Sequence, residues 1–302
     1  KLLHFFEGNS KNFYFFSIDE LEKGIQNCRK IALNIQLDIP IRHRSLTTPD
    51  GEIYITGGSR GGKEVPYTYL LNFSNCTLIP KAPMKFSRKS HGFCYLNGFL
   101  YAIGGFNTAV GALKSCEKYD IENDKWIAIE SMEYASSSPA VCTFQDRYIF
   151  KFGGLLSEGK LVNQIEKYDT VTNKWYSYTI KEKEEFSKTG MQLLWLSAAC
   201  QVNENTIYIF GGCDDEGDGS DQSFLLEILQ DEEDYSSTYK IKKPNSKPLP
   251  VPGGFWNGQC IVHNNKLYCL QNVLLPNDRK SADESKRALL IFDSQKWQFL
   301  RI

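Results

Sequence analysis

Two loop-like stretches and nine cysteines are the residues whose types could do chemistry. Gly57-x4-Gly62-Lys63 has the spacing of a loop whose backbone N–H groups and lysine cradle phosphates. Glu64 stands where a Ser or Thr must reach magnesium, and no helical pattern follows to bring a helix N-terminus to the anion. Nucleotide binding is therefore not expected. Asp214-x-Glu216-x-Asp218-Gly219 opens like a calcium loop, but its twelfth position is Leu225, where a bidentate Glu is required. The cysteines are 28, 76, 94, 116, 142, 200, 213, 260 and 269. Their number is odd, none forms a C-x-x-C pair, and most lie in apolar runs, which reads as buried free thiols in a reducing compartment. Two adjacent sequons, Asn72-Phe-Ser74 and Asn75-Cys-Thr77, are expected to be unused. No Cys–His or Ser–His–Asp arrangement suggests itself, so neither an enzyme nor a cofactor is expected.

The 302 residues are 41% hydrophobic, enough for a sizeable core. Net charge is −1, which gives no general attraction to nucleic acid or to an anionic membrane. The longest apolar stretch, Met191 to Cys200, is too short to span a bilayer, and no secretory signal opens the chain. A cytoplasmic location is expected. The chain opens on Lys1, as a processed product or a domain cut from a longer protein does.

The elements that must position any site are repeats. Four segments end alike: Ile53-Tyr-Ile-Thr-Gly57-Gly58, Leu100-Tyr-Ala-Ile-Gly104-Gly105, Ile149-Phe-Lys-Phe-Gly153-Gly154 and Ile207-Tyr-Ile-Phe-Gly211-Gly212. Leu267-Tyr-Cys-Leu-Gln-Asn272 and Phe13-Tyr-Phe-Phe-Ser-Ile18 match with the glycines replaced. Bulky residues at successive positions describe strands buried on both faces. A second signature follows: Glu117-Lys-Tyr119-Asp120 with Trp126, and Glu166-Lys-Tyr168-Asp169 with Trp175. Each reads as two strands joined by a tight Asp/Asn turn. Weaker copies end at Cys76, Tyr235 and Trp297.

Gly-Gly followed by Tyr-Asp and Trp resembles the kelch repeat, over nearly the whole chain. The resemblance implies an all-β, six-bladed β-propeller of four-stranded antiparallel blades. One domain, 1–302, would hold blades at about 1–40, 41–84, 85–133, 134–181, 190–243 and 255–302. Lettering each blade A to D from the axis outward puts Gly-Gly at the end of B. In blade three, A is expected at His91–Leu96, B at Phe99–Ile103, C at Cys116–Asp120 and D at Lys125–Ile129. The first A strand is expected at Leu2–Glu7 and the last D strand at Lys296–Ile302, so that no blade mixes the two ends of the chain.

Long B–C and D–A loops share one face, where binding is expected. Arg42, Arg44, Arg60, Lys63, Arg88 and Lys89 would form a basic sector there. Asp214, Asp215, Glu216 and Asp218 would face it as an acidic one. Phe255 and Trp256 would add aromatic anchors. His4, His43 and His91 fall near one level on neighbouring inner strands and are the candidates for a metal at the channel mouth. His43 is one step out and Arg44 would share the level, so the three read as polar rim residues and no metal is expected. The resemblance implies a module that binds a protein or peptide, as a ubiquitin-ligase substrate adaptor or a cytoskeletal scaffold. The alternatives are a structural subunit of a larger assembly, or a propeller enzyme or small-molecule binder at the channel mouth.

Overall fold

A computed structural model describes residues 1–179, 192–230, 237–242, 248–250, 252–255, 260–273, 287–293 and 296–301. Among the described residues, six antiparallel sheets are arranged as the blades of a propeller, and two further two-stranded sheets are small hairpins in the loops. Blade three has the strands Gly92–Leu96, Phe99–Ile103, Cys116–Asp120 and Lys125–Ile129, paired in that order. Blade four repeats this with Ala140–Phe144, Tyr148–Phe152, Gln164–Asp169 and Lys174–Thr179. Blades two and five are also four-stranded, starting at Arg44–Thr47 and Ala198–Asn203. In blade six the inner position is shared by Gly253–Gly254 and Cys260–His263, both paired with Lys266–Val273, and Trp297–Arg301 is outermost.

Hydrophobic clusters fill the seams between blades rather than one central core. Cys94, Tyr101, Ile103 and Cys116 of blade three pack on Ile149 and Tyr168 of blade four. The signature aromatics staple neighbours together. The Trp126 indole N–H lies within hydrogen-bonding distance of the Thr68 hydroxyl (2.9 Å) and the Ala82 carbonyl (3.0 Å) of blade two. Trp175 donates to the carbonyl of Glu130 at 2.8 Å. Tyr119 and Tyr168 pack tilted against these indoles at 5.3 and 5.1 Å and donate to Asp124 and Asn173 in the C–D turns. Trp297 packs on Phe210 and Phe292 at the seam of blades five and six.

The glycine pairs are needed where a strand top meets two loops at once. Gly153 and Gly154 have φ of +57° and +98°. A Cβ on Gly153 would lie 2.3 Å from the Leu194 carbonyl, in the loop entering the next blade, and one on Gly154 would meet the Ser136 hydroxyl at 2.0 Å. Strain and overlap with backbone act together at Gly153. Gly153→Ala should therefore destabilise the fold by about 3 kcal/mol, read as a lowered urea midpoint at unchanged slope.

Blade one departs from expectation. It has three described strands, Leu2–Phe6, Asn12–Ser17 and Arg29–Ala32. In blades two and three a residue shortly after strand D donates its N–H to the loop just before strand C of the same blade: Met84 to Pro66 and Met132 to Lys114. The same bond in blade one runs from Ile39 to Ser10. Asn9 likewise donates to Ile39 as Gly58 does to Arg88. Asn12–Ser17 is thus strand C, and Leu2–Phe6 is strand B and not A. The degenerate glycine pair is Gly8-Asn9. No sheet mixes strands from the two ends among the described residues.

Candidate functional site

Above the glycine pairs the B–C loops of blades two to five each fold into a small hairpin. Ser59–Arg60 pairs Lys63–Glu64, and Phe106–Asn107 pairs Gly111–Ala112. Leu155 bridges Leu161, and Cys213 bridges Gly219. The residues entering each A strand pair with the same hairpins, at Ile41–Ser59, Lys89–Phe106, Ser137–Leu155 and Trp195–Cys213. The result is a crown of hairpins on one face. Neighbouring hairpins are tied to each other. Glu64 accepts from the Thr108 N–H and hydroxyl at 3.1 and 2.8 Å, and the Ser157 hydroxyl accepts from the Ala112 N–H at 2.8 Å.

The crown redistributes the expected basic sector. Arg42 and Lys63 are exposed and Arg60 is half-exposed. Arg60 donates to the Asp38 carbonyl at 2.8 Å and lies over the Tyr67 ring at 5.7 Å. Arg44 and Arg88 do not belong to the surface: they are 4% and 0% exposed. Arg44 donates to the carbonyls of His91 and His43. Arg88 donates to Gly104 and Ser115 carbonyls and forms a 2.7 Å ion pair with Glu117. These arginines satisfy loop carbonyls that would otherwise be buried unpaired. Lys89 is neutralised by Glu64 at 2.6 Å. Burial pushes the Glu64 carboxyl upward, but hydrogen bonds from Lys89 and Thr108 outweigh it and hold it at about 2.

Asp215, Glu216 and Asp218 are exposed on the blade-five hairpin. Asp214 is turned inward, its carboxylate accepting from the N–H groups of Glu216 (3.1 Å) and Asp218 (2.8 Å). Such Asx bonding holds the tip of the hairpin in shape. In a ring of six, blades two and five are opposite, so the reduced basic sector and the acidic hairpin face each other across the axis.

The aromatic expectation changes too. Phe255 is 2% exposed, packed edge-on against Phe210, and is part of the seam between blades five and six. Trp256 lies outside the described residues. The exposed aromatics of the crown are instead Tyr67 and Phe86, at 42% and 45%. Both flank basic residues in loops, but a single aromatic in a polar loop has no periodicity to mark it. Trp195, half-buried, donates to the Asp214 carbonyl at 2.6 Å and fixes the base of the acidic hairpin.

The three histidines do not converge. His4 is hydrogen-bonded to Ser45 (3.2 Å) and Thr47 (3.1 Å), His43 to the Pro40 carbonyl (2.7 Å), and His91 to Thr56 (2.8 Å). All three are buried between strands. His4 faces blade two from a B strand, which removes the common level inferred for it. Burial, helped by the nearby His43, lowers the His4 imidazole to about 3. Burial with Arg44, Arg88 and His43 nearby lowers His91 as well.

Inside the ring is a cavity of about 480 Å³ lined by innermost strands, among them Ser45–Pro49, Phe93–Tyr95 and Val141–Thr143, with Lys1 and Leu2 of blade one. Burial pushes the thiols of Cys116 and Cys213 up to about 12 and raises those of Cys94 and Cys142, so these are not nucleophiles at neutral pH. No helix of the described residues is long and apolar enough to cross a membrane.

Comparison with known proteins agrees with this geometry. Residues 87–133 and 136–179 match the model of the Kelch motif. The chain is 26% identical over 206 residues to Kelch-like protein 25 of Xenopus tropicalis, covering 65% of this chain and 33% of that protein. It is 29% identical to Kelch repeat and BTB domain-containing protein 2 of Ectromelia virus, over 42% of this chain and 25% of that one. Beta-scruin of Limulus polyphemus is 24% identical, over 69% of this chain and 23% of that one. The chain thus spans a quarter to a third of the length of these relatives. The solved structure titled "Structure of YjhT" superposes with a TM-score of 0.67 at 14% identity, covering 98% of this chain and 96% of that one. Repeat signature, strand order, relatives and superposition together make this chain a kelch-repeat β-propeller.

Proposed function

We propose that this propeller is a protein-interaction module whose crown receives a segment of mixed charge from a protein partner, in the role of a cytoplasmic substrate adaptor. The observation that carries this reading is the crown's charge division. Arg42, Arg60 and Lys63 stand on one side, and Asp215, Glu216 and Asp218 on the other, on hairpins tied to neighbouring strands. Rigid loops lose little entropy on binding, and opposed charges fix the direction of the bound segment. Tyr67 and Phe86 offer aromatic contact beside the basic side. The BTB domain in the name of one relative supports the adaptor role over a scaffold. Nucleic acid and membrane are not proposed as partners, because the net charge is −1.

The test is a peptide-display selection against the whole chain, followed by affinity measurement at low and high salt. Combined Arg42→Glu, Arg60→Glu and Lys63→Glu should weaken the selected peptide at least about tenfold and flatten its salt dependence. Reversal of Asp50 and Glu122, on the opposite face, should leave affinity unchanged. Equal losses from both sets, or none from the crown set, would overturn the reading.

A further inference from the structure

Thiols line the central cavity. Cys94, Cys142 and Cys200 take equivalent places on the inner strands of blades three, four and five, opposite Tyr101, Phe150 and Tyr208 of the next strand. Cys260 stands on the inner strand of blade six, opposite Cys269. Cys94, Cys142, Cys200 and Cys260 all line the cavity.

At the seam of blades five and six the thiols meet. Asn264 and Asn265 form a two-residue turn, which makes His263 and Lys266 the hydrogen-bonded pair that closes the hairpin. Alternation along the ladder then makes Cys260 and Cys269 a non-hydrogen-bonded pair, the closer of the two spacings, with both side chains on one face. Cys200 of blade five packs in one apolar cluster with Cys260 and Cys269 of blade six, and Cys200 and Cys260 line the same cavity. All three are free thiols. Cys269 points its S–H at the Leu290 carbonyl, 3.9 Å away.

The surroundings select among metals. Ala198, Phe210, Leu267 and Leu290 wall the seam, and no carboxylate or imidazole is among the residues lining the cavity. Hard cations have no ligands here. Zinc takes four ligands, and the three sulfurs do not form a compact cluster of mutual neighbours. Two sulfurs in an apolar wall suit a soft, singly charged ion of low coordination number.

We propose that the seam between blades five and six binds one Cu(I) between the sulfurs of Cys200 and Cys260. One thiol releases its proton to solvent as its S–Cu bond forms, and the second sulfur completes a two-coordinate site. Thiolate and Cu(I) cancel in charge, which keeps the buried group neutral. No electron is transferred. The ion reaches the site through the cavity that both cysteines line.

The reduced chain is titrated without oxygen against the Cu(I)–bicinchoninate complex, and free thiols are then alkylated and mapped by mass spectrometry. One Cu(I) per chain should be withdrawn from the chelator, and alkylation of Cys200 and Cys260 should slow at least about tenfold. Cys200→Ser and Cys260→Ser should each abolish withdrawal. Cys116→Ser, buried in blade three, should not. The alkylation map of the unaltered chain decides the matter even where a serine variant fails to fold. Withdrawal below about a fifth of an equivalent, protection of other cysteines instead, or equal protection by Zn(II) would overturn the proposal. The outcome is independent of whether the crown binds a peptide.

Discussion

Acidifying the protein from about pH 7 to about pH 4.5 is expected to remove on the order of 5 kcal/mol of its stability, because His4 and His91 are buried neutral. The unfolded chain protonates each imidazole near 6.5. The folded chain resists protonation of His4 until about 3, since burial penalises the cation. His91 is lowered in the same direction by burial and by the charges of Arg44 and Arg88. Below 6.5 the unfolded state therefore binds more protons, and folding loses about 1.4 kcal/mol per pH unit for each histidine. The loss is absent above 6.5. For His4 it ends near 3, where both states are charged. Glu64 and Asp169, held at about 2 in the fold, add their own losses only below the usual carboxylate range, so the window above about pH 4.5 isolates the histidines. Urea midpoints at half-unit steps measure the slope. His4→Gln and His91→Gln keep a hydrogen-bonding side chain but cannot titrate, and each should roughly halve it. A slope that neither variant changes would assign the acid sensitivity elsewhere.

How far the sequence was legible depends on whether a residue's role is local. Tyr119, Trp126 and the glycine pair at Gly104 repeat at fixed offsets because each makes the same contact in its own seam. Their pattern carried the fold. Blade one misled because Phe13-Tyr14-Phe15-Phe16 imitates the B-strand run, whereas the true B strand, Leu2–Phe6, ends in Glu7-Gly8-Asn9 and carries one glycine of the pair. The spacing from Gly8 to Gly57 matches the spacings of the middle blades better than that from Ser17. Arg44 and Arg88 misled for another reason. Charge in a predicted loop implies exposure, yet a propeller packs each D–A loop under the glycines of its neighbours, and buried carbonyls there need donors. Only the partner, Glu117, marked Arg88 as internal, and it lies 29 residues away. Surface arginines and buried ones have the same local sequence.

That partner identifies the second large effect. Glu117 and Glu166 occupy the same place on strand C of blades three and four, in the Glu-Lys-Tyr-Asp signature. Each is fully buried and each carries three bonds. Glu117 accepts from Arg88 and from the N–H groups of Lys85 (2.7 Å) and Phe86 (3.1 Å). Glu166 accepts from Lys151 at 3.0 Å and from the N–H groups of Glu133 (2.8 Å) and Tyr134 (3.3 Å). A signature carboxylate thus ties the loop entering its blade to the middle of the sheet. Glu166→Ala would leave Lys151 buried without its counter-charge and two N–H groups unpaired, a loss of about 4 kcal/mol. Lys151→Met removes the cation but leaves Glu166 its two backbone donors, so about 2 kcal/mol is expected. Burial already lowers the Lys151 ammonium, and Glu166 opposes that shift. The double variant, Glu166→Ala with Lys151→Met, buries no charge and should lose less than the sum of the two by about 2 kcal/mol. Urea unfolding of all four chains completes the cycle. If the two losses simply add, the pair has no mutual stabilisation, and Glu166 would owe its place to the Glu133 and Tyr134 amides alone.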